Sequence, residues 1–353
     1  MEPPGAPSRP AGDGRRDLRA LPKAHLHLHL TGGMRPTTLL DLAGRHGVRL
    51  PEELLDPAGA RVDVSVRRGW TRFQRLYDAA RDVVRTPDDV RRLVREIAED
   101  ERAAGSRWVE VQVDPSSYAP RMGGLQATVE LVLSAMADAT AVTGVGIALV
   151  VAANRTRHPF EAETLARLAK RYAQRGVVGF GLSNDETRGP PEEFAKAFRI
   201  AREAGLIAVP HAGETRGERS VRGAVEVLGA ARLGHGVRAV EDPPTVELLA
   251  ERGVVLEVCP ASNVALGVAG AVEEVPVRAL RDAGVAVALG ADDPLLFRSG
   301  LLAQYEAVRD SAGLSDADLA DLARCAVRGS AAPDDVRARL ERAVDDWLAA
   351  PPP

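Results

Sequence analysis

The sequence AHLHLHL at residues 24–30 alternates histidine with leucine, which is the pattern of a β-strand with two different faces. It is the first of eight short runs rich in Val, Ile and Leu, each followed by an amphipathic helical stretch. The predicted strands are residues 24–30, 108–113, 146–152, 177–182, 207–211, 232–235, 254–258 and 285–290. This alternation predicts an α/β fold built on a parallel sheet.

Glycines mark the ends of the predicted helices. Between a helical stretch and the next strand stand Gly105, Gly144, Gly176, Gly205, Gly253 and Gly284. Eight strands that are each followed by a helix predict a single (β/α)8 TIM barrel. A doubly wound open sheet is the alternative, but the first strand ends in Leu-Thr-Gly-Gly at 30–33 and lacks the glycine-rich phosphate turn of that fold.

The first crossover, from residue 30 to residue 108, is the longest. It is expected to hold extra helices at 37–45, 66–84 and 87–104 that cap the barrel mouth. The sequence Thr-Pro-Asp-Asp at 86–89 predicts an N-cap, a proline at the first helical position and an acid at the third for the last of these helices. Helices are also expected at 160–173 and 191–204 and after the last strand. Residues 1–20 are expected to form a disordered tail, residues 21–347 the barrel domain, and residues 348–353 a second tail.

Composition excludes several classes of protein. The 353 residues are 45% hydrophobic and 27% charged, and 46 basic against 50 acidic residues leave no basic footprint for nucleic acid. Two cysteines are too few for a disulfide framework or a thiolate zinc site. The first 20 residues lack the apolar run of a secretory signal, and no stretch approaches the roughly 18 consecutive apolar residues of a membrane span. We therefore expect a cytoplasmic protein with no membrane partner.

Three of the seven histidines fall in the first strand: His25, His27 and His29. Residues two apart on a strand share a face, so all three are expected to point into the barrel. Imidazoles at this spacing can share one divalent ion, whereas burying them unpaired would be costly. His46 and His158 fit the more common reading of packed or surface rings.

Further polar side chains follow later strands. His211 and Glu214 end the fifth strand, His235 ends the sixth, and Asp292 and Asp293 follow the eighth. Barrel enzymes carry their catalytic groups at these strand ends. Nitrogen and oxygen ligands without sulfur suit a zinc-like ion, which activates a water. A histidine or aspartate could accept the proton of that water, and a glutamate could protonate the substrate. The residue types alone predict metal-assisted hydrolysis and leave the substrate open.

Six motifs in this order resemble the adenosine deaminase family of the amidohydrolase superfamily. They are LPKAHLHLHLTGGMRP (21–36), GFGLSNDE (179–186), HAGE (211–214), RLGHG (232–236), EVCPASN (257–263) and GADDPLLF (290–297). The resemblance implies hydrolytic deamination of a 6-aminopurine with one Zn²⁺ ion per chain.

The same resemblance implies the residues that carry the chemistry. The implied zinc ligands are His27, His29, His211 and Asp292, and the implied catalytic residues are Glu214, His235 and Asp292. Glu214 corresponds to the acid that protonates purine N1 and so makes C6 electrophilic. His235 corresponds to the group that deprotonates the zinc-bound water. His25 stands where relatives often carry glutamate and is not expected to be a ligand.

The implied substrate-binding residues are His29, Thr31, Asn184 and Asp293. Asp293 corresponds to the residue that hydrogen-bonds purine N7, and Asn184 replaces a glycine near N3 and the sugar. Thr31 stands where members acting on adenosine commonly carry an aspartate that contacts the ribose 5′-hydroxyl. A neutral hydroxyl there suits a 5′-substituted nucleoside. The implied partner is thus a small purine nucleoside, either adenosine or a 5′-modified adenosine such as aminodeoxyfutalosine.

Three other functions compete with this reading. A deaminase of free adenine belongs to the same family. A binuclear amidohydrolase would need a lysine on strand four, and VVGFGLS at 177–183 has none. A catalytically silent barrel that acts as a binding protein would be favoured by loss of Glu214, His235 or Asp292, and all three are present. A monomer and a homodimer are both compatible with the sequence.

Overall fold

The strands form one parallel sheet that curls into a barrel in the computed structural model, which describes residues 15–351. Within these residues the strands are β1 Lys23–His29, β2 Ser106–Val113, β3 Gly146–Asn154, β4 Val177–Ser183, β5 Ile207–Ala212, β6 Arg232–His235, β7 Val255–Val258 and β8 Ala286–Leu289. Their order in the sheet follows the chain from β1 to β8. The barrel closes where the His29 N–H donates to the Asp292 carbonyl (3.1 Å) and the Asp292 N–H donates to the His27 carbonyl (3.0 Å). The predicted α/β TIM barrel is confirmed.

Helices connect the strands and cover the outside of the barrel. Over residues 15–351 they are α1 Pro36–His46, α2 Gly69–Arg81, α3 Pro87–Ala103, α4 Pro115–Met122, α5 Leu125–Thr143, α6 Pro159–Arg171, α7 Ala195–Glu203, α8 Glu218–Glu226, α9 Pro243–Arg252, α10 Pro260–Ala265, α11 Val277–Asp282, α12 Pro294–Phe297, α13 Leu301–Ser311, α14 Asp316–Gly329 and α15 Asp334–Ala349. As predicted, α1 to α3 form an insertion after β1, and further helices follow β8.

Local sequence signals act where they were expected. The six glycines predicted to end helices all have left-handed backbone, with φ between 61° and 104°. The Thr86 hydroxyl accepts from the Asp89 N–H, and the Asp89 carboxylate accepts from the Thr86 N–H at 2.8 Å. This capping box starts α3, with Pro87 at its first position. Residues 191–204, predicted as one helix, divide into a 3-10 turn, Pro191–Phe194, and α7.

The alternation of β1 is interrupted by one extra residue. His25 pairs with Val109 of β2, but Leu28 pairs with Val111, so three steps on β1 match two steps on β2. Such a bulge shifts the faces to which the following side chains point.

Because of this bulge, the expectation that the three histidines of β1 share one face is wrong. The Nδ1 of His25 lies 2.8 Å from Oε1 of Glu101 on the outer helix α3. Its Nε2 accepts a hydrogen bond from the Ala291 N–H at 2.9 Å. His27 and His29 instead face the aspartate that follows β8. His25 therefore links β1, α3 and the end of β8.

The two predicted tails are shorter than expected. Residues 15–20 pack on the barrel: Leu18 is 2% exposed, and the Arg16 Nη2 donates to the Leu348 carbonyl at 2.7 Å. Trp347 of α15 in turn donates through Nε1 to the Asp17 carbonyl at 3.0 Å. Composition did not show that the two ends pack on each other. Residues 1–14, 352 and 353 lie outside the described residues.

Helix α5 is the one helix of residues 15–351 that is long and apolar enough, by length and composition alone, to cross a membrane. Its buried side chains include Val129, Val132 and Met136. It packs against α3 and β3. These contacts are those of an outer helix of the barrel.

Candidate active site

Three histidines and an aspartate converge at the mouth of the barrel. His29 Nε2 lies 3.2 Å and His27 Nε2 lies 3.5 Å from the same Oδ1 of Asp292. The ring centroid of His211 lies 4.7 Å from that of His27 and 5.3 Å from that of His29. In a tetrahedral zinc site, ligand atoms about 2.1 Å from the ion lie roughly 3.4 Å from one another. His27, His29 and Asp292 have this spacing and fit one divalent ion, and His27 also lies within ligand distance of His211 and His235.

An unpartnered nitrogen supports the same fit. His27 Nε2 is buried and has no hydrogen-bond partner among the described residues. Its other nitrogen, Nδ1, lies 2.8 Å from Oε2 of Glu257. A carboxylate on one imidazole nitrogen turns the other toward a metal. Burial lowers the pKa of His27, but the neighbouring carboxylates of Asp292 and Glu257 outweigh it and raise the pKa to about 10.

A chain of buried charged side chains fixes Glu257, the carboxylate that contacts His27. The Arg232 Nε lies 2.8 Å from Oε1 of Glu257, and its Nη2 lies 2.5 Å from Oε2 of Glu110. All three side chains are fully or almost fully buried. Removing one member would leave an uncompensated buried charge, so each holds the next in place. Glu257 is thereby prevented from rotating away from His27.

Three strand ends at the mouth have strained backbone. Asn184 after β4, His235 at the end of β6 and Asp292 after β8 have φ of 81°, 64° and 59°. For a residue other than glycine, this backbone conformation costs about 1 kcal/mol or more of conformational free energy. The conformation turns each strand end so that its side chain faces the pocket above the barrel. Strain of this kind clusters at functional sites.

Glu214 and His235 form an acid and a base beside the metal ligands. Glu214 Oε1 lies 3.6 Å from His235 Nε2, and both residues are buried. Burial, with the charges of Asp292 and Glu186, raises the pKa of Glu214 well above its ordinary value. Burial lowers the pKa of His235 to about 3. At neutral pH His235 is therefore a neutral imidazole, and burial favours the neutral carboxylic acid form of Glu214 beside it.

Asp293 sits next to this pair with a free oxygen. Its Oδ1 is buried without a hydrogen-bond partner among residues 15–351. Burial and the charge of Asp292 raise the pKa of Asp293 well above its ordinary value. A Cβ at Gly32 would lie 2.6 Å from the Asp293 Cα and closer still to its Oδ1. Only glycine at position 32 lets the loop after β1 approach this carboxyl group so closely.

The pocket above these groups is closed by the insertion after β1. Helix α2 contributes a wall of Trp70, Phe73 and Tyr77, and α4 contributes Tyr118. The pocket encloses about 720 Å³ including its open mouth. The insertion therefore does cap the barrel mouth, as predicted.

Thr31 and Asn184 both make polar contacts with the helices around the pocket. Thr31 is fully buried, and its Oγ1 lies 2.5 Å from the hydroxyl of Tyr118. The Asn184 Oδ1 accepts from Trp70 Nε1, and its Nδ2 donates to Gln74 Oε1, both at 3.0 Å. Thr31 therefore touches the pocket through Tyr118 and Tyr77, and Asn184 lines it with its amide already bonded to α2.

The family model described as adenosine deaminase matches residues 22–347. The chain belongs to the adenosine deaminase family. A putative adenosine/adenine deaminase of Streptomyces coelicolor is 59% identical over 339 residues, which are 95% of this chain and 99% of that protein.

Solved structures agree with this assignment. The adenine deaminase of Arthrobacter aurescens is 32% identical with a TM-score of 0.85, covering 93% of this chain and 99% of the other. An amidohydrolase of Burkholderia ambifaria, with bound Zn, is 29% identical with a TM-score of 0.81 over 94% of each chain. This adenosine deaminase family member is thus a purine-deaminating hydrolase with a metal-binding cluster of His and Asp.

Several residues of this adenosine deaminase site were not predicted from the sequence. Glu257 and Ser262 lie in the quoted motif EVCPASN; the Ser262 Oγ donates to Asp292 Oδ2 at 2.6 Å. Glu186 ends the quoted motif GFGLSNDE. Gln112 of β2 places Oε1 3.3 Å from His211 Nε2. Glu257 and Gln112 are polar residues between apolar neighbours in their strands, and that pattern could have marked them as members of the site.

We predict that Asn184→Gly raises KM about threefold to tenfold with little change in kcat. Glycine accepts the left-handed backbone, but the bonds to Trp70 and Gln74 are lost, as is the one that the Asp185 N–H donates to Asn184 Oδ1, and α2 covers the pocket less firmly. Asn184→Asp, which keeps the acceptor for Trp70, should lie between this variant and the parent. Steady-state kinetics checks this. An unchanged KM in Asn184→Gly would show that these bonds do not hold the cap.

Proposed function

We propose that the protein hydrolyses the 6-amino group of an adenosine-type purine nucleoside and releases ammonia, using one zinc ion per chain. The observation that carries the proposal is a neutral acid, Glu214, beside a neutral base, His235, at the edge of a His–Asp cluster. Proton donation to a ring nitrogen and proton removal from water are the two transfers that this reaction requires.

The proposed metal ligands are His27, His29, His211 and Asp292. When bound there, zinc would supply the Lewis acidity that makes water nucleophilic near neutral pH. Burial raises the pKa of Asp292, but the neighbouring His27 and His29 outweigh it and leave that pKa well below its ordinary value, so the carboxylate is ionised. Glu257 holds His27 with Nε2 toward the cluster.

Glu214 donates its proton to purine N1, which withdraws electrons from C6. His235 accepts a proton from the water that attacks C6, so a C–O bond forms while N1 stays protonated. The C6–N bond then breaks, and the amino group leaves as ammonia after taking the proton that His235 holds. The C6 oxygen gives its remaining proton to the Glu214 carboxylate as the C6=O bond forms. The product is the 6-oxopurine with hydrogen on N1, and both protein groups return to their starting states.

Asp293 orients the ring in this proposal. Its raised pKa leaves a hydroxyl that donates to purine N7, because N7 offers only a lone pair. His29 lines the pocket beside the ring. These contacts bring N1 toward Glu214.

The pocket favours a nucleoside because it continues outward. Ser117, Asn154 and Asn184 line both the inner pocket and a polar outer vestibule, which also contains Arg157 and Arg188. A ribose, with or without a 5′ substituent, would find polar partners along this route. Thr31 would affect the sugar end through Tyr118 and Tyr77.

Free adenine is the second candidate. Tyr118 fills the space in front of Thr31, where the family's aspartate would meet a ribose hydroxyl. The relatives from S. coelicolor and A. aurescens are named adenosine/adenine and adenine deaminase. Both observations suit a substrate without a sugar.

The test is ammonia release by zinc-loaded protein on adenosine, 2′-deoxyadenosine, adenine, methylthioadenosine and aminodeoxyfutalosine. We expect a nucleoside to exceed adenine in kcat/KM by about tenfold, or roughly 1.4 kcal/mol of transition-state discrimination. A preference for adenine of the same size would move the proposal to the free base. No turnover of any 6-aminopurine would support a catalytically silent barrel.

A further inference from the structure

One buried carboxylate holds the turn that follows β5. Glu186, which is 5% exposed, accepts hydrogen bonds from four successive backbone N–H groups, those of residues 213–216, at 2.6, 3.0, 2.7 and 3.0 Å. It also accepts from the hydroxyls of Thr215 at 3.3 Å and Ser220 at 2.5 Å. Both of its oxygens are therefore used.

The turn held in this way carries two residues of the active site. It begins at His211 and contains Glu214, whose own N–H is one of the four donors. Gly213 has left-handed backbone with φ of 74°, and a Cβ there would lie 2.6 Å from the side chain of Val221. The turn is therefore tight, and its N–H groups converge on one point.

A buried arginine completes the arrangement. Arg155, after β3, donates through Nη2 to the carbonyl of His211, and its guanidinium interacts electrostatically with Glu186 and Glu214. The turn after β5 is thus bound on its carbonyl side by a cation and on its N–H side by an anion. Charge-assisted hydrogen bonds of this kind are stronger than neutral ones.

We propose that Glu186 is a positioning residue for the deamination, which fixes the backbone turn that aims the Glu214 carboxyl group at purine N1. This inference rests on the acid role proposed for Glu214. Among the described residues, all the hydrogen bonds of Glu186 go to residues 213–216 and 220. None of them is a direct contact with the substrate. It acts on the reaction through Glu214.

The first test is Glu186→Gln. The glutamine amide places its own NH₂ donor against the backbone N–H donors of residues 213–216, so some of these hydrogen bonds are lost. The turn then relaxes, and the Glu214 carboxyl group moves away from the purine ring. We expect kcat to fall about 100-fold, KM to stay within about threefold, and bound zinc to be retained, because the contact of Glu214 with N1 matters most in the transition state. Glu163→Gln is the matched control: Glu163 is similarly buried, on α6, and pairs with Lys196 and Arg167. It should leave kcat unchanged.

A double-mutant cycle separates positioning from a general structural role. In protein that already carries Glu214→Gln, adding Glu186→Gln should change kcat less than about threefold, since the group that Glu186 positions is gone. If the two losses multiply instead, Glu186 does not act through Glu214 and the inference is overturned. A Glu186→Gln protein with kcat within about threefold of the parent would also overturn it.

If Glu186→Gln does not fold, Ser220→Ala carries the same test. It removes one hydrogen bond from the carboxylate and should lower kcat about threefold to tenfold, again only while Glu214 is present. An unchanged kcat would refute the inference. Failure of the proposed function is distinguishable, because Glu214→Gln alone would then retain turnover whatever the effect at position 186.

Discussion

Glu214→Gln is expected to lower kcat about 10³-fold or more while the protein keeps its fold and its zinc. Glutamine has nearly the same shape and can still donate a hydrogen bond to N1, but it has no proton to transfer. The side chain is buried beside His235 and outside the group of proposed ligands, so metal binding should not change. The measurements are ammonia release, zinc content and thermal unfolding of the variant and the parent.

The same acid determines how activity depends on pH. Because the folded pKa of Glu214 is raised, its protonated and active form persists to higher pH than that of an exposed glutamate and is lost as pH rises through that pKa. We expect kcat/KM of the parent to fall on the alkaline side. The Glu214→Gln variant should not show this fall of kcat/KM at alkaline pH. Turnover of the variant within about tenfold of the parent would contradict the acid role.

Asp292→Asn is expected to remove the metal and, with it, nearly all turnover. Asp292 Oδ1 lies within 3.5 Å of both His27 Nε2 and His29 Nε2, and Asp292 is the one anion of the proposed ligand set. Asparagine tolerates the left-handed backbone at this position, so the fold should survive while a neutral oxygen replaces the carboxylate. We expect zinc affinity to fall at least about 100-fold.

The measurement is zinc per chain after dialysis, together with ammonia release at added zinc. Asp293→Asn is the matched control, since the neighbouring residue is equally buried but lies outside the proposed ligands. That control should keep its zinc and weaken purine binding. A full complement of zinc in dialysed Asp292→Asn would remove Asp292 from the ligand set.

The sequence was sufficient for the barrel and for the convergence of the main polar residues. Hydrophobic runs, glycine stops and the capping box at Thr86 depend on neighbours within a few positions, and the structure shows all three. His211, His235 and Asp292 were found because the carboxyl ends of barrel strands meet at one rim. That rule relates distant residues without any knowledge of their packing.

The bulge in β1 is where this local reasoning was wrong. A period of two placed His25 with His27 and His29, but one inserted residue turned His25 toward Glu101 on α3. An extra residue in a strand leaves the composition and the alternation of letters unchanged. It becomes visible only when the partner strand is aligned.

Thr31, Asn184 and Glu186 show what only the tertiary structure decided. Thr31 bonds to a residue 87 positions away, Asn184 to one 114 positions away, and Glu186 to a turn 27 to 34 positions along the chain. The sequence determined which chemical groups stand at the strand ends, because strand periodicity and chain order are local. It did not determine which of them face the substrate and which hold the cap or the Glu214 turn. That choice depends on long-range packing, where each polar group that becomes buried must find a partner.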